Sequence, residues 1–436
     1  MKHYKRLKYT ITCLRLVAAC AVLSLPACSV NPVTGKNELT YLDENWEIAT
    51  GEKYYAVQQQ AGGGSYVLDP DLTGYVASVG QRLAAHSDRP DLPYEFVVIN
   101  DSTPNAWALP GGKIAIHRGL LTELNDEAEL AAVLAHEIVH AAARHSAQGQ
   151  EVGTLLSVGA LAANVLLSNS GANSEAMQQG IAYGSLYGQQ RYSRSRESEA
   201  DLYGMRYMAA AGYDSRAAIN LQQTFVRLSQ GRQADAFSAL FASHPPSQQR
   251  VEANAETAKK LPAGGNRGAE RFRRAMADLK RREPAYQNGD RAIKALQEKD
   301  FKQAIALADK AIAAEKNESL FYEIKGTALM ELNRSRDALT ALNNAVQLNP
   351  RCYGPVLRRG LLRYELQSFQ AAEKDLMASI RMAPTQIAFI HLGEIAEAQN
   401  NCGAATQYYQ QAVAQGTANR ENLQQKILAL QATCTR

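Results

Sequence analysis

The chain has 436 residues, of which 46% are hydrophobic and 21% charged, and its formal net charge is +4 at neutral pH. That length predicts two domains, each large enough to bury its own core. Five basic residues precede position 16 (Lys2, Lys5, Arg6, Lys8 and Arg15), so the rest of the chain carries about −1. A near-neutral remainder argues against nucleic acid as a partner, since binding it needs a strongly basic surface.

The first 27 residues have the pattern of a secretory signal peptide. Their basic residues lead into an apolar run, 16–25, that is too short for a stable membrane span. The sequence LPAC at 25–28 is similar to a bacterial lipobox, although Pro26 is unusual there. We expect lipidation of Cys28, with Ser29 favouring the outer membrane over the inner one; cleavage without lipid is the alternative.

Residues 109–121 predict a turn followed by a strand. Pro110, Gly111 and Gly112 form the turn, and residues 113–116 alternate as a short strand. A strand at this place can bind an extended substrate by strand addition, which reads backbone rather than side chains. An ordinary buried strand is the alternative.

The next predicted helix, 127–144, carries the motif HEIVH at 136–140 and contains no Gly or Pro. His136 and His140 therefore lie one turn apart on one face, where two imidazoles can close on one zinc ion. Glu137, rotated by about 100°, is placed to act as general base on a metal-bound water. A helix that carries these residues by coincidence is the alternative.

A catalytic zinc needs a third protein ligand and an open fourth position. The metzincin motif would supply a histidine at position 146 and a glycine at 143, but the chain has Ser146 and Ala143. His145 lies off the ligand face, so we expect it to make a hydrogen bond or to face solvent, and not to bind metal. The third ligand must come from another part of the chain.

An apolar segment, 152–167, follows this helix. It is shorter than the roughly 20 residues of a membrane-spanning helix. A packed helix is expected, with a membrane-facing or lid element as the alternative.

The predicted helix 194–211 contains the motif RESEAD at 196–201. Glu197 and Asp201 share a face, whereas Glu199 points about 200° away. Glu197 is therefore the expected third ligand, and Asp201 the expected acceptor for the second ring N–H of a zinc-bound histidine. Glu199 is the weaker candidate, and an ordinary solvated helix is the alternative.

These motifs together resemble the zinc metallopeptidases of the Ste24 and HtpX type, in the soluble periplasmic BepA-like branch. The resemblance covers roughly residues 31–253. It rests on HEIVH, on RESEADLYG, on NAWALPGGKIAIHRGLL at 105–121 and on SHPPSQQR at 243–250. It implies a zincin-type domain that holds one Zn²⁺ through His136, His140 and Glu197, with Glu137 as base and Asp201 in support.

Two further residues acquire a role only through this resemblance. His244, followed by two prolines, matches a histidine that can approach the zinc as a fourth ligand and hold the enzyme quiet. Arg250 matches the family's downstream arginine. A polar surface histidine is the alternative for His244.

The composition of the chain changes after residue 260. Residues 261–268 are turn-rich, and a basic helix-like stretch, 269–282, leads to Pro284. We therefore predict a metallopeptidase domain at 28–283, with a basic helical linker at about 257–283, and a second domain at 284–436.

The second domain shows a period of 34 or 33 residues. Small residues recur in three columns: Gly326, Gly360 and Gly393; Ala338, Ala372 and Ala405; Ala345, Ser379 and Ala412. This period is typical of tetratricopeptide repeats, in which small residues let paired helices pack closely. We predict four units at about 291–416 and a terminal helix at 420–433.

The cysteines that remain after signal removal and lipidation are Cys352, Cys402 and Cys434. The terminal helix should return antiparallel to the last repeat helix. We therefore predict a disulfide between Cys402 and Cys434, with Cys352 free.

The expected fold is α+β and mainly helical, with a small sheet in the zincin-type domain and an α-solenoid after it. The expected function is that of a periplasmic zinc endopeptidase, anchored to the outer membrane by lipid. The resemblance implies that it cuts misfolded or misassembled outer-membrane proteins, while the repeats bind substrate or the assembly machinery. A non-enzymatic chaperone with a latent zinc site is the alternative.

Overall fold

The computed structural model describes residues 29–38, 42–149, 192–230, 237–416 and 420–434. The predicted signal peptide, the predicted lipidation site Cys28 and the apolar segment 152–167 lie outside these ranges, so these three remain predictions. The described part is mainly helical with a small sheet, which confirms the predicted fold class. None of the described helices combines the length and the apolarity that crossing a bilayer requires.

The first half of the chain combines two small sheets with helices. Its strands are β1 (Ser29–Val30), β2 (Asn37–Glu38), β3 (Glu95–Ile99), β4 (Ala106–Leu109) and β5 (Lys113–His117). Its described helices are α1 (Glu44–Ala61), α2 (Pro70–Ala84), α3 (Arg118–Glu123), α4 (Glu127–Ala142), α5 (Arg194–Ala210), α6 (Ala217–Gln230), α7 (Ser238–Ser243), α8 (Gln248–Ala258) and α9 (Ala269–Ala275). Helix α4 is almost completely buried, and His136 is its one partly exposed residue.

Strand β5 is the centre of the three-stranded sheet. It pairs in parallel with β3 and antiparallel with β4, and all five of its residues are buried. The predicted strand is therefore present, but its backbone groups are already used and it cannot take a substrate by strand addition. The alternative reading, an ordinary buried strand, applies to residues 113–116, since α1 and α4 both pack against this strand. The edge strand next to it is β4.

The second half is an array of helix pairs. Its helices are α10 (Ala277–Gln297), α11 (Phe301–Ala314), α12 (Ser319–Glu331), α13 (Ser335–Leu348), α14 (Tyr353–Glu365), α15 (Phe369–Met382), α16 (Gln386–Ala398), α17 (Cys402–Gln415) and α18 (Arg420–Cys434). The turn inside each pair contains a left-handed residue at the predicted period: Lys299, Asn333, Gln367 and Asn400. The two predicted Ala and Ser columns are completely buried. The repeat prediction is confirmed.

The start of the array differs from the prediction. Pro284 lies inside α10, so the predicted domain boundary falls within a continuous helix. Proline removes one helical hydrogen bond and costs about 3 kcal/mol in a helix interior. The flanking residues Leu279, Ala285 and Tyr286 are buried in the core that the two halves share, and this packing sustains the helix.

The repeat array contacts the first half of the chain next to the loop that joins β3 to β4. The Arg118 guanidinium lies 3.5 Å from the centre of the Tyr286 ring and donates to Ser102 Oγ at 2.6 Å. Ser102 in turn donates to Asp290 of α10 at 2.7 Å, and the Tyr286 hydroxyl donates to Glu318 at 2.6 Å. The loop 100–105 is therefore held from the repeat side.

The cysteine predictions have separate outcomes. Cys352 is a buried free thiol, as predicted. Cys402 also carries a free thiol in the structure, and the side chain of Cys434 lies outside the described residues. The disulfide between Cys402 and Cys434 therefore stays a prediction.

We predict that Gly393→Ala destabilises the repeat array by about 1–3 kcal/mol, because a Cβ there would lie 2.5 Å from the ring of the fully buried Tyr409. Gly74→Ala is the matched control, since its Cβ would meet nothing within 4 Å on the exposed face of α2. It should stabilise by about 0.5–1 kcal/mol. Urea unfolding measures both changes; equal effects of the same sign would contradict the packing argument.

Candidate metal centre

Helix α4 supplies two imidazoles and a carboxylate to one spot. Asp126 caps the helix by accepting from the backbone N–H of Glu129, and the Ala- and Leu-rich run after it continues without a break. The Nε2 atoms of His136 and His140 lie 3.0 Å apart. Such close facing nitrogens repel unless a cation or a proton lies between them.

Helix α5 approaches α4 closely because of Gly204. A Cβ at this position would lie 3.2 Å from the backbone nitrogen of His136. Glu197 and Asp201 lie seven and three positions before Gly204, on the same face of the helix. The glycine therefore lets both acidic side chains reach the histidines of α4, a role that the sequence analysis did not assign.

The resulting donor atoms have the spacing of a tetrahedral site. Glu197 oxygens lie 3.4 Å from His136 Nε2 and 3.3 Å from His140 Nε2, and His244 Nδ1 lies 3.2 Å from both His136 Nε2 and Glu197 Oε1. Bonds of about 2.0–2.1 Å in a tetrahedron put the donors about 3.3–3.4 Å apart. The four side chains therefore fit around one metal ion.

The electrostatics of the site also favour a cation. Burial opposes a charge on His136, yet Glu197 and Asp201 raise its pKa to about 10. Burial would raise the pKa of Glu197, but His244 and His136 hold it well below its usual range. The surroundings thus stabilise a positive charge beside an ionised carboxylate, which is the charge pattern that a divalent metal ion needs.

Asp201 contacts His136 on the side of the ring away from the other donor atoms. Its Oδ1 lies 3.0 Å from His136 Nδ1, which leaves Nε2 free to face the metal position. Arg250 donates to both Asp201 oxygens at 2.7 Å and lies 3.0 Å from Glu197. Burial would raise the pKa of Asp201, and this arginine lowers it. Arg250 therefore keeps two buried carboxylates ionised.

A second chain of contacts orients His140. Its Nδ1 lies 2.8 Å from His145 Nδ1, and His145 Nε2 lies 3.1 Å from Glu199 Oε1. If His140 presents its bare Nε2 to the metal, its Nδ1–H donates to His145, and the Nε2–H of His145 donates to Glu199. The predicted hydrogen-bonding role of His145 is confirmed. Glu199 contacts this histidine and not the metal position.

Glu137 lies beside the donor set without belonging to it. Burial raises the pKa of its carboxyl, while His244 and His136 act in the opposite direction. Its Oε2 is buried and has no hydrogen-bond partner among the described residues. A carboxyl with a raised pKa and a free oxygen can exchange a proton with a water held at the metal.

His244 faces both the donor set and the base. It caps the C-terminal end of α7, its Nδ1 contacts Glu197, and its Nε2 lies 3.5 Å from Glu137 Oε1. In this arrangement it fills the fourth corner of the tetrahedron.

An open cleft of about 750 Å³ leads to these residues. The free edge of β4 lines it, together with Ser146, Tyr192 and His244. The Tyr192 ring stacks on His140 with 3.8 Å between the ring centres, and its hydroxyl lies 3.0 Å from Ser146 Oγ. No motif in the sequence pointed to Tyr192, because it precedes the RESEAD helix and reaches the site only through the fold.

Comparison with known proteins points to one family. Residues 70–258 match the model of peptidase family M48. A protein of Vibrio cholerae, assigned provisionally as a beta-barrel assembly-enhancing protease, is 33% identical over 58% of this chain and 52% of its own length. The beta-barrel assembly-enhancing protease of Escherichia coli is 28% identical over 78% of this chain and 74% of its own length. The chain thus spans about half of the first relative.

Among solved structures, MamA protein matches 34% of this chain and 81% of its own, with 20% identity and a TM-score of 0.31. The helix pairs themselves identify the repeat fold.

Changing a residue that only contacts a metal ligand typically lowers metal affinity by about 10–100-fold. We predict that Glu197→Gln lowers it further, because this change replaces a charged ligand by a neutral amide. Glu199→Gln is the matched control: its amide oxygen can still accept from His145, so the loss should be smaller. Competition with a chelator and metal analysis measure both. A larger loss in the Glu199 variant would reverse the ligand assignment.

Proposed function

We propose that the chain is a zinc-dependent endopeptidase of the bacterial envelope, which the match of residues 70–258 to the model of peptidase family M48 supports. Its substrates are misfolded or misassembled outer-membrane proteins. The observation that carries the proposal is the buried Glu137 carboxyl, unpaired at one oxygen, beside the tetrahedral donor set. A purely structural metal site has no use for such a base.

The donor set supports zinc in particular. Histidine nitrogens with one carboxylate are typical ligands of catalytic zinc, and three of them leave a position for water. His136, His140 and Glu197 are the proposed ligands. A bound zinc ion would polarise the peptide carbonyl and lower the pKa of water to about 7.

The remaining steps fall to the protein's own residues. Glu137 takes a proton from the attacking water and delivers it to the leaving amine. Asp201 and Arg250 keep His136 oriented, and the chain from His140 through His145 to Glu199 does the same for the other histidine. The free edge of β4 binds the substrate as an added strand. Reading backbone in this way suits substrates that share little sequence.

We further propose that His244 keeps the enzyme in a resting state. Its Nδ1 occupies the corner that a catalytic water needs, and its contact with Glu137 blocks the base as well. Cleavage then requires His244 to withdraw. This arrangement also favours the second candidate function, a chaperone or assembly factor with a latent site, if His244 never withdraws.

The proposal also covers the role of the repeats and the location of the protein in the cell. The names of the relatives in Vibrio cholerae and Escherichia coli refer to beta-barrel assembly. We propose that the repeat array binds either substrates or components of the outer-membrane assembly machinery, and that the protein works in the periplasm. The lipid on Cys28 would attach it to the outer membrane.

Glu137→Gln should retain zinc but lose peptide hydrolysis, because an amide cannot accept the proton of the attacking water. A loss of at least about 10²-fold in kcat is expected for removal of a general base. Cleavage of unfolded β-barrel proteins by the purified mature protein measures it, with metal analysis of both proteins as the control. Turnover equal to that of the wild type would remove the base assignment, whereas absence of cleavage by the zinc-loaded wild type would favour the chaperone candidate.

His244→Ala should keep the metal, since three ligands remain, and should raise peptide cleavage or self-cleavage. A fluorogenic peptide assay and gel analysis of the purified chain measure the two activities. The matched control is Ser243→Ala, the preceding residue, whose side chain donates only to backbone carbonyls of its own helix. Unchanged or lower activity in His244→Ala would speak against the resting-state role.

A further inference from the structure

A second, smaller cavity lies behind the cleft. Ala106 and His244 line both spaces and form the wall between them. The inner cavity holds about 40 Å³, room for about three water molecules at the about 10–15 Å³ that each needs. Its walls are mostly apolar, with contributions from Val133 of α4, Leu221 and Phe225 of α6 and Leu240.

Two amide side chains that also line this cavity have unpaired polar atoms. Gln222 is 6% exposed and Asn254 2% exposed. Gln222 Oε1 and Asn254 Nδ2 are buried and have no hydrogen-bond partner among the described residues. A buried polar atom without a partner costs about 1–3 kcal/mol. Two such residues in the lining of one cavity favour a polar occupant.

The position of Glu137 relates the cavity to the reaction. Glu137 and His136 line it, whereas Ser146 and Tyr192, on the side of His140, line only the outer cleft. In the proposed peptidase reaction, Glu137 hands its proton to the nitrogen of the leaving fragment. The first residue of that fragment would therefore lie next to Glu137, so the cavity that Glu137 lines is a space that its side chain can enter.

We propose that the inner cavity is the subsite for the residue immediately after the cleaved bond, and that it selects a carboxamide side chain, Asn or Gln. A carboxamide presents one donor group and one acceptor, as the unpaired oxygen and nitrogen require. The volume excludes aromatic side chains. Arg250 also lines the cavity, but it is engaged by Asp201, Glu197 and the Pro245 carbonyl, so it does not select an acidic residue.

The proposal rests on the proposed peptidase function, and cleavage-site mapping tests it. Wild-type protein is given a mixture of unfolded proteins, and mass spectrometry identifies the residue after each cut. We expect enrichment of Asn and Gln. Gln222→Met keeps the length of the side chain but removes its amide, so kcat/KM for carboxamide substrates should fall about 10–100-fold. Preference should move toward Leu and Met.

Matched variants keep this result interpretable. Gln223→Met changes the exposed neighbour of Gln222 and should leave the cleavage profile unchanged. Asn254→Leu removes the other amide and should move the profile in the same direction as Gln222→Met, so it serves if the first variant fails to fold. A wild-type profile without carboxamide preference, or one that neither variant moves, would overturn the proposal and leave the cavity as a water site.

Peptide binding gives a readout that does not depend on turnover. The peptide amides Asn-Ala-Ala and Leu-Ala-Ala imitate a leaving fragment and are titrated into wild-type protein by calorimetry. The Asn peptide should bind more tightly, and Gln222→Met should abolish the difference whereas Gln223→Met should not. Equal binding of both peptides by the wild type would contradict the subsite. Selective binding without any cleavage would instead contradict the peptidase function while supporting the subsite.

Discussion

The arrangement of the site depends on keeping buried carboxylates charged between two closely packed helices. Glu197 and Asp201 reach the interior because Gly204 allows α5 to approach α4, and there an isolated charge would be expelled or neutralised. Arg250, which is itself buried, compensates both of them. The negative charge that Arg250 does not compensate lies where His136, His140 and Glu197 converge. A metal ion at that point would complete the charge balance of the site.

The need to orient each metal-binding nitrogen explains why many side chains surround the few donor atoms. Each imidazole must turn one particular nitrogen toward the ion, which requires a partner for the other nitrogen. Asp201 fills this role for His136, and the pair of His145 and Glu199 fills it for His140. The second nitrogen of His244 faces Glu137 at 3.5 Å, and the residue lies at the end of a short helix before two prolines. Of the four corner residues, it alone comes from outside α4 and α5.

The helix array belongs to this arrangement through the core. One apolar cluster runs from the first half of the chain to Ala328 in α12, and Tyr286 and Asp290 of α10 hold the loop before β4 through Arg118 and Ser102. That loop contributes Asp101, Thr103 and Asn105 to the cleft. A partner bound by the repeats would therefore act on an array that contacts a loop lining the cleft.

The sequence by itself determined the two helices that carry HEIVH and RESEAD, the repeat period and the residues expected at a metal centre. Helical spacing fixes which side chains share a face, so HEIVH and RESEAD identified both faces that meet, and the small residues at intervals of 34 or 33 identified the paired helices. Only the tertiary structure decided that β5 is central, that α10 continues through Pro284, and that Tyr192, Gln222 and Asn254 lie at the site. These features depend on contacts between segments far apart in the chain, which local periodicity does not encode. Burial against such neighbours overrides local preferences by several kcal/mol, as at Pro284.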